Sequence, residues 1–210
     1  MHISRFFSHL SFSSILCLLC LSYSHASYAW DLEDTAKDNP IQVWTQVVKG
    51  SNFKAFKGLV KINAPVSKIM SIIRDTENLP KWYYNTEEAK VLKKMSDTET
   101  LSYTVTSTPW PVTNRDAVTL ASQKPLDNGG FLIELTAKPN AYPLQKDRIR
   151  VPKMKGFWKL EPVGKDSTKV TFQIAAEPGG EIPSWLANSM VVEMPFYTLK
   201  NLKALAERTQ

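Results

Sequence analysis

The stretch from Pro178 to Arg208 limits the fold more than any other part of the chain. Pro178-Gly179-Gly180 reads as a turn, and Pro183 suits the first turn of a helix. On a 3.6-residue wheel Ser189, Glu193, Lys200, Lys203 and Glu207 form one narrow polar stripe, with Phe196 its only apolar member. The stripe keeps its phase across Pro195, so the spacing predicts one kinked helix rather than two. Most of the remaining circumference up to Tyr197 is apolar (Leu186, Met190, Val191, Met194), which is wider than a surface helix needs. Something must enclose such a helix. The candidates are a solid core, or a curved sheet that the helix closes into an apolar cavity.

The preceding residues supply strands. Residues 30–37 read as a short amphipathic segment. Ile41 to Val48 and Phe53 to Ile62 read as two strands joined at Gly50-Ser51-Asn52. Val66, Ile69, Met70 and Ile73 are spaced as one face of a helix opened by Ala64-Pro65 and broken at Asn78-Leu79-Pro80. Trp82-Tyr83-Tyr84 is an aromatic knot suited to core packing, with a ligand contact as the alternative. From Glu88 the period becomes two: a hairpin through Met95 and Thr106, with Leu101, Tyr103 and Val105 alternating against a wet face of Ser102, Thr104 and Thr106. Further strands are expected at Arg115–Gln123, Phe131–Leu135, Arg148–Glu161 and Thr168–Ala176, in meander order. Hairpins with helices segregated to one side make an α+β fold, a curved antiparallel sheet wrapped around the long C-terminal helix.

Residues 1–29 have the layout of a signal peptide: Arg5, the apolar run Ile15–Leu21, then small residues with Ser27 and Ala29 placed for cleavage after Ala29, or alternatively after Ala26. Residues 30–210 would then be the mature domain, exported across the inner membrane and expected to be periplasmic. Both cysteines and all three histidines lie in the leader. The mature chain therefore lacks disulfides, thiol nucleophiles, imidazole or thiolate metal sites and every Ser-His-Asp arrangement. No metal or cofactor is expected. The 26 basic and 20 acidic residues leave +5 once Arg5 is removed, and no lysine- or arginine-rich block points to nucleic acid.

Several motifs resemble the StAR-related lipid-transfer (START) domain, within the helix-grip (SRPBCC) superfamily. They are Phe53–Gly58, Ile62-Asn63-Ala64-Pro65-Val66, Asn78-Leu79-Pro80-Lys81-Trp82, Trp110-Pro111-Val112-Thr113-Asn114-Arg115-Asp116, Gly156–Pro162 and Pro178–Leu186. The resemblance implies a helix-grip fold with an internal apolar cavity holding one lipid; the lack of histidine and cysteine after the leader adds the expectation that the protein is not an enzyme. Arg115 and Asp116 match the family's Arg-Asp pair, for which a structural role at a strand start is expected and a ligand contact is the alternative. Where some sterol carriers hold an acid and an arginine, this chain has Ser102 and Ala121, so sterol specificity is not implied. The expected cavity lining is Tyr103, Val105, Val118, Leu120, Ile133, Trp158, Phe172 and Ile174 from strands, with Met190, Met194 and Tyr197 from the helix. Tyr142 and Leu144, in a proline-bearing loop, and Pro195 are the candidate gate.

The function expected from this reading is non-enzymatic binding of a lipid or other hydrophobic small molecule by a monomer, with transient contact to a membrane surface. The alternative is a helix-grip enzyme of cyclase, aromatase or hydrolase type. Its general base would have to be Asp, Glu, Lys or Tyr, and the candidate carboxylates Asp116, Glu134, Glu177 and Glu193 are scattered.

Overall fold

The computed structural model describes residues 29–33 and 40–208. The expected leader, up to residue 28, and half of the expected amphipathic segment lie outside the described residues, although Asp31–Glu33 forms a short strand, β1. β2 (Gln42–Val47) and β3 (Lys54–Ile62) make the first full hairpin. Helix α1 (Val66–Arg74) follows, burying Ile69 and Met70. A 3₁₀ turn over Thr76–Lys81 then leads into β4 (Thr86–Lys94). The period-2 stretches become β5 (Glu99–Thr106), β6 (Arg115–Pro125) and β7 (Phe131–Ala137). β8 (Ile149–Arg150), β9 (Lys153–Pro162) and β10 (Thr168–Glu177) precede α2 (Ser184–Glu207).

The sheet order is β1-β2-β3-β10-β9-β7-β6-β5-β4, with β8 beside β6. The meander therefore runs from β4 to β10 and is completed when β10 pairs with β3, from Thr168↔Ile62 to Ile174↔Phe56. All pairings are antiparallel except the two residues of β8, which run parallel to Arg115-Asp116. That exception corrects the expected strand Arg148–Glu161. Pro152 has no N–H for a ladder, and the Val151 amide donates to the Asp116 carbonyl, so the chain stays beside β6 until Lys153.

α2 runs unbroken through Pro195 and packs on the concave side of β2 and β3. Leu199, Leu202 and Ala206 are buried there with Val43, Val60 and Ile62. The approach is close because position 58 has no side chain. A β-carbon on Gly58 would lie 2.6 Å from Leu199 Cδ1 and 3.2 Å from Pro195 Cβ. The aromatic knot clasps the other flank of the helix. Trp158 and Phe172, cross-strand partners on β9 and β10, stack at 3.9 Å, and Tyr83 meets both rings edge-on. Tyr84 stacks on Tyr197 and donates to Glu193, while Asn201 donates to the Trp82 carbonyl.

Candidate functional site

Between the sheet and the first half of α2 lies a cavity of about 420 Å³, within the range of small-molecule sites. Its walls differ in chemistry. One is apolar, built from Phe56, Ile133, Leu135, Met154, Ile174 and Ala176 of the sheet, Ile73, Leu79 and Tyr83 beside α1, and Met190, Val191 and Met194 of α2. The other is the concave face of β5 and β6. It presents Thr100, Ser102, Thr104 and Thr106 from one strand and Arg115, Ala117, Thr119, Ala121 and Gln123 from the other. These are cross-strand neighbours: Ser102 faces Thr119, Thr104 faces Ala117, and Thr106 faces Arg115. The ladder of hydroxyls ends at a guanidinium.

The wet face of β5 thus points inward, where the apolar face was expected. Tyr103, Val105 and Val118 lie on the opposite side of the sheet in a separate cluster with Leu92, Leu101 and Tyr142, and strand alternation puts Leu120 there too. The loop between β7 and β8 folds over that outer side, and Tyr142 packs on Tyr103 at 5.1 Å. The apolar side chains are consumed by that contact. Burial and the neighbouring Asp116 push the Tyr103 phenol up to about 12. Of the other expected lining residues, Ile133, Ile174, Met190 and Met194 do face the cavity. Trp158 and Phe172 fill the core beyond it, and Tyr197 sits part-exposed against Tyr84. The three gate candidates do not meet. Tyr142 is outside the sheet, Leu144 is exposed, and Pro195 presses on Gly58.

Arg115 and Asp116 are 2 % and 1 % exposed and point to opposite sides of β6. Asp116 accepts two hydrogen bonds from Arg150, at 2.8 Å from Nε and 2.9 Å from Nη2. Arg150 also donates to the carbonyls of Pro139, Tyr142 and Pro143, which holds the β7–β8 loop against the outer face. Arg115 donates to the carbonyls of Thr113, Gly179 and Glu181, joining β6 to the lead-in of α2. Gly179 and Gly180 take φ of +71° and +60°, and a β-carbon at either would crowd Ile149. That turn is reserved for glycine. Burial pulls Arg115 below the ordinary arginine value, although an arginine so placed stays charged.

The segment 107–114, the β7–β8 loop and the α2 lead-in converge at this end of the sheet, linked by Ile149 to Asn114 and by Arg115 to Gly179. Three large apolar side chains stand exposed on them: Trp110 at 92 %, Leu144 at 77 % and Trp185 at 58 %. Among the described residues no three metal-ligating side chains gather at one place.

The START domain family model matches residues 17–210. An uncharacterized protein of Pseudomonas aeruginosa is 41 % identical over 174 residues, covering 82 % of this chain and 86 % of that one. A STAR-related lipid transfer protein from Xanthomonas axonopodis, solved as a crystal structure, superposes with a TM-score of 0.78 at 37 % identity, over 85 % of this chain and 99 % of that one. Human phosphatidylcholine transfer protein is 32 % identical over 124 residues, and the match spans 57 % of each chain.

Proposed function

This chain belongs to the START domain family, and from that premise we propose that it binds a lipid or other apolar ligand in the cavity under α2 and carries it, as a monomer, outside the cytoplasm. The observation that carries this reading is the cavity itself. The apolar wall beneath α2 recovers about 0.8 kcal/mol for each methylene withdrawn from water, so an acyl chain is held without any chemistry. Met190 and Met194 suit a wall that adapts to ligand shape. Residues 1–29 serve as the export leader. Trp110, Leu144 and Trp185 form the end that meets a membrane surface, where aromatic rings and leucine are favourably placed.

Native mass spectrometry of protein purified from the exported fraction tests the reading. The expected spectrum shows a mature chain beginning at Trp30 or Ser27, with a bound mass in the lipid range. Met194→Glu, which puts an unpaired carboxylate into the apolar wall, removes that mass. A chain that is always empty and takes up no lipid from vesicles would overturn the cavity reading. Vesicle sedimentation of Trp110→Ser with Trp185→Ser tests the contact surface. Unchanged co-sedimentation would exclude that end as the contact.

A further inference from the structure

Arg115 places a buried positive charge in the cavity wall with no counter-charge beside it. Among the described residues no carboxylate lies within ion-pair distance of its guanidinium. The acid next in sequence is turned to the other face and occupied by Arg150. What holds Arg115 is neutral and uneven. Nη1 donates to the Thr113 carbonyl at 2.5 Å, and the two N–H groups of Nη2 reach the Gly179 and Glu181 carbonyls at 3.2 Å each, the long end of the usual range. Nε has no partner among the described residues. A buried cation with an unmet donor is an unfavourable arrangement that a bound anion relieves.

The cavity limits what such an anion can be attached to. Arg115 begins β6 and Gln123, which accepts from Arg74, lies near its far end, so the cavity runs along that strand from Arg115 toward Ile73 and Arg74. Met190, Val191 and Met194 of α2 and the apolar sheet residues line it, which suits a hydrocarbon tail.

Resting on the cavity reading above, we propose that Arg115 receives the acidic head, carboxylate or phosphate, of an amphiphile whose hydrocarbon lies along the apolar wall. The head docks side-on against Nε and Nη2, the fork geometry that carboxylate and phosphate both fit. It takes the place of one long contact to the Gly179 or Glu181 carbonyl. Because those carbonyls belong to the lead-in of α2, occupancy of the head site is coupled to how tightly the helix is held over the cavity. Arg74 and Lys94 also border the cavity, at its other end, but both are exposed and already solvated, so an anion gains less there.

The test compares palmitate, hexadecyl phosphate and hexadecanol binding to the delipidated mature chain by calorimetry. Wild type is expected to bind at least one acid about tenfold or more tighter than the alcohol, and whichever acid is tighter identifies the head. In Arg115→Gln the acids and the alcohol should come within about twofold of one another, whatever the alcohol's own affinity becomes. A side-chain ¹⁵N spectrum of the wild-type chain needs no variant: the Arg115 Nε–H signal should shift with the tighter acid and stay in place with hexadecanol. Equal binding of all three probes to wild type, or an acid preference that survives Arg115→Gln, overturns the proposal and leaves the cavity reading standing. So does a preference abolished by Arg74→Gln instead. Failure of every probe to bind overturns both.

Discussion

Gly58→Ala is the sharpest test of how α2 is seated. Position 58 is on β3 opposite Val43 and Phe172, with its missing side chain directed at the helix. An added β-carbon would sit 2.6 Å from Leu199 Cδ1, a separation that real contacts do not show, and 3.2 Å from Pro195 Cβ. Leu199 is fully buried and the proline ring is fixed, so the helix must lift or Leu199 must leave its rotamer. Overpacking of this kind costs about 1–3 kcal/mol. Glycine in a strand interior is itself unfavourable by roughly 0.5–1 kcal/mol relative to alanine, which offsets part of it. The net expectation is a loss of about 1–2 kcal/mol, or roughly 2–8 °C in melting temperature for a domain of this size. Calorimetry of the lipid-free protein measures it, and a double-mutant cycle assigns it. Leu199→Ala alone should cost about 2–5 kcal/mol. In that background Gly58→Ala should be neutral or stabilising, because the methyl enters vacated space. An alanine variant as stable as wild type, or two effects additive within about 0.5 kcal/mol, would refute the close seat of α2 on β3.

Two further outcomes follow from buried and half-buried charges. Asp116→Ala leaves Arg150 buried without its carboxylate and should cost about 3–5 kcal/mol in urea unfolding, with the β7–β8 loop becoming protease-sensitive; a loss under about 1 kcal/mol would show that the pair does not hold the loop. Glu207 accepts the Asn63 amide at 2.7 Å and a hydrogen bond from Lys203, fastening the end of α2 to the turn after β3. Burial opposes ionisation there, yet those two donors hold the carboxyl below its ordinary value near 4.5. A folded-state value lowered in this way contributes stability that is intact above pH 4.5 and lost as the pH falls through the folded value. The carboxyl of Glu161, lowered by Lys159 and Lys169, titrates in the same sense. Glu207→Gln should therefore flatten the acid limb of the stability profile without changing the curve above pH 6, and a parallel curve displaced at all pH values would sink the assignment.

The framework of this fold is local chemistry and was readable as such. The polar stripe through Glu193, Lys200, Lys203 and Glu207 predicts one helix across Pro195, and α2 is one helix. Alternation predicts β5 and β6, and both form with that alternation intact. Pro152 also carried a readable signal, since a proline inside a strand interrupts its ladder, and β9 begins just after it. Which side of β5 and β6 faces the cavity was not readable. Alternation says that the two faces differ, and the usual preference puts the apolar face inward. Here the decision is made by residues more than twenty positions away, when Arg150 pins the β7–β8 loop and Tyr142 covers Tyr103 from outside.

The Arg115-Asp116 pair shows how far elementary geometry could have gone. Adjacent residues on a strand point to opposite faces, so these two cannot neutralise each other once Arg115 begins β6. Each must find a partner on its own side. Asp116 finds Arg150, brought beside it by the two residues of β8. Arg115 shares its side with Ala117, Thr119 and Ala121 and faces Thr106 across the ladder, none of which carries a charge. The same alternation that splits the pair therefore leaves one cation in an otherwise uncharged stretch of wall, held by the carbonyls of the segment that leads into α2. An uncharged residue would cost less desolvation but could not reach three carbonyls at once, so the guanidinium ties β6 to the entry of α2. Its Nε is left over from that task, and this is the donor that the proposed anion would complete.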